Sequence, residues 1–167
     1  MGVLNMTRKR NMSIDARWMN AALDEAHVAF SMGEIPIGAV VVLDGVIIGR
    51  GHNRRAVDED PMAHAEIVAL RDAAQTLGRW RLDGATMYVT LEPCAMCAGA
   101  LVQARLASVV FAAHEPKSGA VRSMYQLCDD PRASHRLAVH AGLCEEESRT
   151  LLQEFFVQRR ESSSPKR

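Results

Sequence analysis

Ile14, Trp18, Ala22, Ala26 and Ala29 recur every three or four positions, the period of one helix face, and predict a helix over 13–32 that stops at Gly33. Two β-branched runs follow, 38–43 and 46–49, separated by Asp44-Gly45, a pair suited to the positive φ angles of a two-residue hairpin turn. An amphipathic helix laid on an antiparallel hairpin is expected. After a polar loop at 58–61, helical periodicity resumes over 63–77 and ends at Gly78. Residues 85–91 read as a strand. A second buried helix opens after Pro93, a residue suited to a first turn because its missing N–H has no partner there anyway, and runs to 106. Then come a strand at 108–113, a short helical piece at 121–128, a short strand at 137–140 and a last helix over 143–160.

Helix, hairpin, then alternating helix and strand predicts an α/β fold, a five-stranded mixed sheet with helices on both faces in three α/β/α layers. The segment 94–106 is apolar or small on nearly every side, which for a helix means burial on more than one face. A second copy of the chain would supply the extra face, so a homodimer is expected.

Composition narrows the class. The chain has 167 residues, 48% hydrophobic and 24% charged, which fits one globular domain. That domain is assigned to 13–160, between an unstructured extension at 1–12 and a flexible tail at 161–167. Twenty basic and twenty acidic residues cancel, which argues against non-specific coating of nucleic acid and gives no reason to expect DNA as a partner. A local basic patch remains compatible with this balance. Aromatics at 5% are too few for a broad base-stacking platform. Arg8-Lys9-Arg10 has no apolar core after it that could make a signal peptide, and Met6 and Met12 are alternative starts. The longest apolar run, 35–43, falls well short of the roughly 20 residues of a membrane span. A soluble, cytoplasmic protein is expected, whose four cysteines serve as thiols or metal ligands rather than disulfides.

The chemistry lies in two helix openings. His64-Ala65-Glu66 begins one and Pro93-Cys94-Ala95-Met96-Cys97 the other. Cys94 and Cys97, three apart, lie on one face of a turn, and a helix amino terminus favours the metal-binding thiolate. His64 would be a third ligand. Two Cys and one His leave the fourth position of a zinc ion open to water, the catalytic arrangement. Glu66, two residues after a ligand, can reach that water as a general base without itself binding the metal. A structural zinc module would need a fourth protein ligand, and neither Cys128 nor Cys144 has ligand-like spacing; both suit small apolar packing. His27, His52, His114, His135 and His140 also lack ligand spacing. Phe155 and Phe156, with Leu151 and Leu152, make an apolar helix stripe and read as core.

His-x-Glu followed by Pro-Cys-x-x-Cys is the signature of the zinc deaminases that act on nucleobases. From Asp15 to Arg160 the chain resembles the bacterial tRNA-specific adenosine deaminases. The resemblance extends to Glu34-Ile35-Pro36-Ile37-Gly38-Ala39-Val40, Asn53-Arg54, Thr90-Leu91-Glu92-Pro93-Cys94, Lys117-x-Gly119-Ala120, His135-Arg136, Phe155-Phe156 and Arg159-Arg160. It implies a cytidine-deaminase-like fold, a homodimer with one zinc ion per subunit on His64, Cys94 and Cys97, and Glu66 as proton shuttle. Asn53 would help to hold the purine, and the wobble adenosine of an arginine tRNA anticodon would become inosine. Three positions depart from the family pattern: Glu115 where Asp is usual, Ser134 where Asn is usual, and Val157 where a basic residue is frequent. They fall on the expected RNA side, where Glu115 and Lys117 are candidate substrate contacts and Arg54, Arg55, Arg159 and Arg160 further phosphate contacts. The alternative is a deaminase of a free base or nucleoside (guanine, cytosine or adenosine), which would share every residue of the zinc side. A zinc-stabilised interaction module that keeps only the fold is disfavoured by Glu66.

Overall fold

A computed structural model describes residues 14–163 of the chain. The extension expected over 1–12 and the end of the expected tail, 164–167, lie outside the described residues. In chain order the elements are α1 (Ala16–Ser31), β1 (Gly38–Leu43), β2 (Val46–His52), α2 (Ala65–Leu77), β3 (Thr86–Leu91), α3 (Ala95–Gln103), β4 (Ser108–Ala113), β5 (Ala138–Ala141) and α4 (Glu145–Ser163). They build one five-stranded sheet of order β2-β1-β3-β4-β5. β1 runs antiparallel to both β2 and β3, and β3, β4 and β5 are parallel to one another. The sheet is mixed, as the pattern predicts.

Alternation along the strands divides the interior in two. Val41, Met87, Val89, Val109 and Phe111 point to one face, where they pack with Ala65, Ala69 and Ala73 of α2 and Ala98 and Leu101 of α3. Val40, Val42, Tyr88, Val110 and Ala112 point to the other, against Met19 and Ala22 of α1. α4 covers that second face too: Ser148 donates to the Thr90 carbonyl at 2.5 Å, and Phe155 packs edge-on against Phe30 of α1 at 5.6 Å. Three layers result. Among the described residues no helix is long and apolar enough to cross a membrane.

Asp15 caps α1 by accepting the Arg17 N–H at 2.9 Å. The hairpin turns as expected, with Leu43 opposite Val46 and Asp44 and Gly45 at φ of 51° and 75°. Several boundaries differ from the expected ones. β2 continues to His52, because glycine at 49 and 51 lets α2 lie directly on the strand rather than ending it. α3 ends at Gln103, and Arg105 at φ 64° turns the chain. Pro93 stands one residue before the N-cap, which is Cys94, and so lies outside the first turn. α4 continues through Ser163, where a flexible tail was expected from 161; the Ser162 hydroxyl bonds the Arg159 carbonyl at 3.0 Å.

The helical piece expected at 121–128 is absent. Met124 N–H reaches back to the Gly119 carbonyl and Leu127 N–H to that of Ala120, steps longer than a helical ladder's four, so the segment closes as a loop whose Val121, Arg122 and Ser123 amides donate to the Glu92 carboxylate.

Close packing of β2 on α2 yields a stability prediction. A Cβ at Gly51 would meet the carbonyl of Ala65 and, at 2.5 Å, the amide of Ala69. Backbone cannot swing aside as a side chain can. Gly51→Ala is expected to cost about 1–3 kcal/mol, the usual range for overpacking, read as a lower denaturant midpoint.

Candidate active site

β2 and β3, both antiparallel to β1, run in the same direction and deliver the chain to the same end of the sheet, and there α2 and α3 begin. His64 occupies the N-cap of α2 and Cys94 the N-cap of α3, with Glu66 and Cys97 in the respective first turns. Two positive helix ends therefore converge on one point, which favours anionic side chains there. His64 Nδ1 lies 3.6 Å from both the Cys94 and the Cys97 sulfur. All three donor atoms lie within 4.8 Å of one another, the one such cluster among the described residues.

The donors fit a soft divalent cation. Hydrogen bonding from Cys97 and then His64 pulls the Cys94 thiol down to about 3 despite its partial burial, and Cys94 and burial hold the Cys97 thiol up. A cation among the three donors would draw out both thiolates. Cys128 is buried elsewhere, its sulfur 4.0 Å from the Ala98 carbonyl, so among the described residues the cluster has three protein donors.

Glu66 is 4% exposed. Burial raises its carboxyl to about 7 against the opposing effects of its own amide and His64. A carboxyl poised there can both take and return a proton near neutral pH.

A cavity of about 240 Å³ opens beside this cluster, its walls including Ile35, Asn53, Arg55, His64, Glu66, Cys94, Glu115, Ser118, Leu152 and Phe156. Two buried carboxylates, Glu34 and Glu92, hold the loops that carry these walls. Glu34 accepts the amides of Ala56 and Val57 at 2.8 Å each and lies 3.4 Å from the Asn53 amide nitrogen, which also donates to the Ile35 carbonyl at 3.3 Å. Asn53 is thereby held in one orientation at the cavity wall. Glu92 accepts from Glu115, Val121, Arg122 and Ser123. Burial alone would raise its carboxyl, but the Ser123 hydroxyl and the amides of Arg122, Glu115 and Ser123 hold it at about 2.

Of the residues singled out in the sequence, His64, Glu66, Cys94, Cys97, Asn53 and Glu115 meet here. Lys117 does not reach the wall: it is exposed, its amide donating to Glu115 Oε1 at 2.9 Å, and Ser118 lines the cavity instead. Arg54 is held by Asp58 through two bonds of 2.8 Å, whereas Arg55 and Arg159 flank an adjoining cleft with Asn53. The Phe pair divides. Phe155 is core, but Phe156 is 43% exposed and joins the cavity wall, so its core assignment is corrected. Ser134 accepts from Arg105 at 3.5 Å and Val157 lines a groove with Phe156 and Arg160, both outside the cavity wall. The histidines without ligand spacing include His52, bound to Glu25 at 2.9 Å, and His135, bound to the Leu106 carbonyl at 2.6 Å.

Sequence reasoning passed over Glu34 and Glu92. Each is a lone charge beside an apolar or β-branched run, a pattern that marks a buried, hydrogen-bonded carboxylate.

Residues 14–160 match the family model of MafB19-like deaminases, which places the class: a sheet and paired helix openings of the deaminase kind. The tRNA-specific adenosine deaminase of Bacillus subtilis (strain 168) is 44% identical over 93% of this chain and 97% of its own. That of Haemophilus influenzae is 46% identical over 92% and 89%. A solved structure from a study of A-to-I editing by tRNA:A34 deaminases at the wobble position of transfer RNA superposes with a TM-score of 0.79 at 45% identity, over 82% of this chain and 99% of that one. The chain belongs to the family of tRNA-specific adenosine deaminases.

Proposed function

We propose that this protein is a zinc-dependent hydrolase that converts adenosine to inosine at the wobble position of a tRNA anticodon, with an arginine tRNA as substrate. The observation that carries the reading is the buried Glu66 beside a three-donor cluster, in a chain whose relatives are tRNA-specific adenosine deaminases.

His64, Cys94 and Cys97 would hold the zinc. Bound there, the ion would supply Lewis acidity that brings the pKa of a water toward 7. Glu66 takes a proton from the attacking water and delivers it to purine N1 as oxygen adds at C6. Its carboxylate then takes the remaining proton from the C6 hydroxyl and passes it to the amine as the C6–N bond breaks. Adenosine and water become inosine, still in the RNA chain, and ammonia, and Glu66 ends in its starting state. Asn53, fixed by Glu34 and the Ile35 carbonyl, presents its amide to the purine, and Glu115 borders it from the opposite loop. A base in an anticodon loop can be splayed into such a cavity at less cost than one in a duplex.

With zero net charge, the protein must find that loop through local contacts. Arg55, Lys117, Arg159 and Arg160 supply charge for the flanking phosphates. Lys117→Ala is expected to raise KM for an anticodon stem-loop about threefold to tenfold, more at low salt than at raised salt, with zinc content unchanged. An unchanged KM at both salt levels removes Lys117 from the interface.

The homodimer belongs to the same proposal. On α3, Ala95 and Met96 are exposed and Gly99 and Ala100 half-buried, a small-residue face that a second copy can approach closely. Sedimentation at micromolar concentration should give about twice the 18.4 kDa chain mass, and a monomer contradicts it. A cytoplasmic location follows from a tRNA substrate.

A further inference from the structure

The chemistry just described makes no use of Glu92, although its side chain is fully buried beside the site. A buried carboxylate is costly unless hydrogen bonds replace its hydration. Here one loop supplies them. Oε1 accepts the amides of Val121 at 3.2 Å, Arg122 at 2.6 Å and Ser123 at 2.8 Å, while Oε2 accepts the amide of Glu115 at 3.0 Å and the Ser123 hydroxyl. The loop that donates these bonds is the one whose Glu115 and Ser118 stand in the cavity wall. Main-chain bonds on either side tie the same segments together: Glu92 N–H to the Ala113 carbonyl at 2.8 Å, Ala120 N–H to the Pro93 carbonyl at 2.8 Å, and a bridge between Cys94 and Gly119. Gly119 lies flush on the carboxylate, where a Cβ would collide with Glu92 and with the Glu115 carbonyl, at 2.5 Å from the latter.

We propose that Glu92 is a positioning residue for the substrate: its carboxylate suspends the 115–123 loop at a fixed distance from Cys94 and so sets where Glu115 and Ser118 face the base. The substrate side of this inference rests on the proposed function.

An amide cannot do the same work. The four main-chain partners can only donate, so both oxygens must accept; His114 Nδ1, 3.6 Å from Oε2, can take either role. In Glu92→Gln the carbonyl oxygen keeps the trio from Val121, Arg122 and Ser123, and the NH₂ faces the Glu115 amide. The Ser123 hydroxyl can turn to accept; the Glu115 N–H cannot. The end of the loop that carries Glu115 must then move, while His64, Cys94 and Cys97 keep their places.

The test compares Glu92→Gln, Gly119→Ala and Ser123→Ala with the unchanged, zinc-loaded protein on an anticodon stem-loop. KM is expected to rise about tenfold in the first two and less in Ser123→Ala, with kcat within about threefold and zinc unchanged. Amide hydrogen exchange at 115–123 should quicken in the same order. Combining Glu92→Gln with Glu115→Ala should cost less than the sum of the two, because the first has already displaced the second. Glu92→Gln that lowers kcat and zinc content together at constant KM overturns the inference, as does strict additivity with Glu115→Ala. Should Glu92→Gln fail to fold, Ser123→Ala and Gly119→Ala give the same decision. Should the unchanged protein convert a free base and leave the stem-loop alone, the functional proposal falls. Quickened exchange with a raised KM for that base would still support Glu92 as the positioning residue.

Discussion

Glu66→Gln should keep zinc and lose about 10²–10⁴-fold in turnover, the range supplied by a positioned acid–base group. The side chain is 4% exposed and the amide has nearly the same shape, so the α2 opening and its packing are preserved. What disappears is the capacity to accept a proton from water and return it to N1 and the leaving amine. Metal analysis beside a deamination assay separates the two functions. Zinc lost in parallel with activity would mean that Glu66 supports the metal cluster, contrary to its assigned role.

Cys97→Ala should have an effect as large by another route. Cys97 is fully buried and contributes one of the three donors, its sulfur 3.6 Å from His64 Nδ1. With two donors left, zinc affinity falls and turnover falls to background. Stability should follow, because a metal bound only by the folded state adds about 4 kcal/mol at a free concentration a thousandfold above Kd. The unfolding midpoint of the unchanged protein should therefore drop on chelation, and that of Cys97→Ala should not respond. A variant that retains one zinc per chain would contradict the ligand assignment.

The features legible in the sequence were those encoded locally. Ile14 to Ala29 announce α1 by their period, Asp44-Gly45 announces the hairpin, and His64, Glu66, Cys94 and Cys97 announce the site because each pair shares one helical turn. Features set by distant partners were not. Gly49 and Gly51 look like the end of a strand, but they are glycine because α2 lies on β2 at van der Waals distance. Val121 to Cys128 carry apolar residues that look helical, but Leu127 N–H closes back on the Ala120 carbonyl and the segment folds as a loop around Glu92, about thirty positions away. Asn53 was marked through the family resemblance, since a lone Asn in a loop is more often a turn residue. Its orientation by Glu34 needs the folded chain. Lys117 was marked by its motif, yet Ser118 lines the wall: which side chain of a loop turns inward depends on the bonds that hold the loop.

The measurement that tests the account most directly is product identification. Zinc-loaded protein is incubated in parallel with an anticodon stem-loop carrying adenosine at the wobble position and with free adenosine, guanine and cytosine, and each product is identified by chromatography and mass. Inosine at the wobble position, with the free compounds unchanged over the same interval, is the predicted result. Rapid conversion of a free base with the stem-loop unmodified would contradict it and direct attention to Glu115, Ser134 and Val157, the positions that set this sequence apart in the resemblance from which the tRNA reading began.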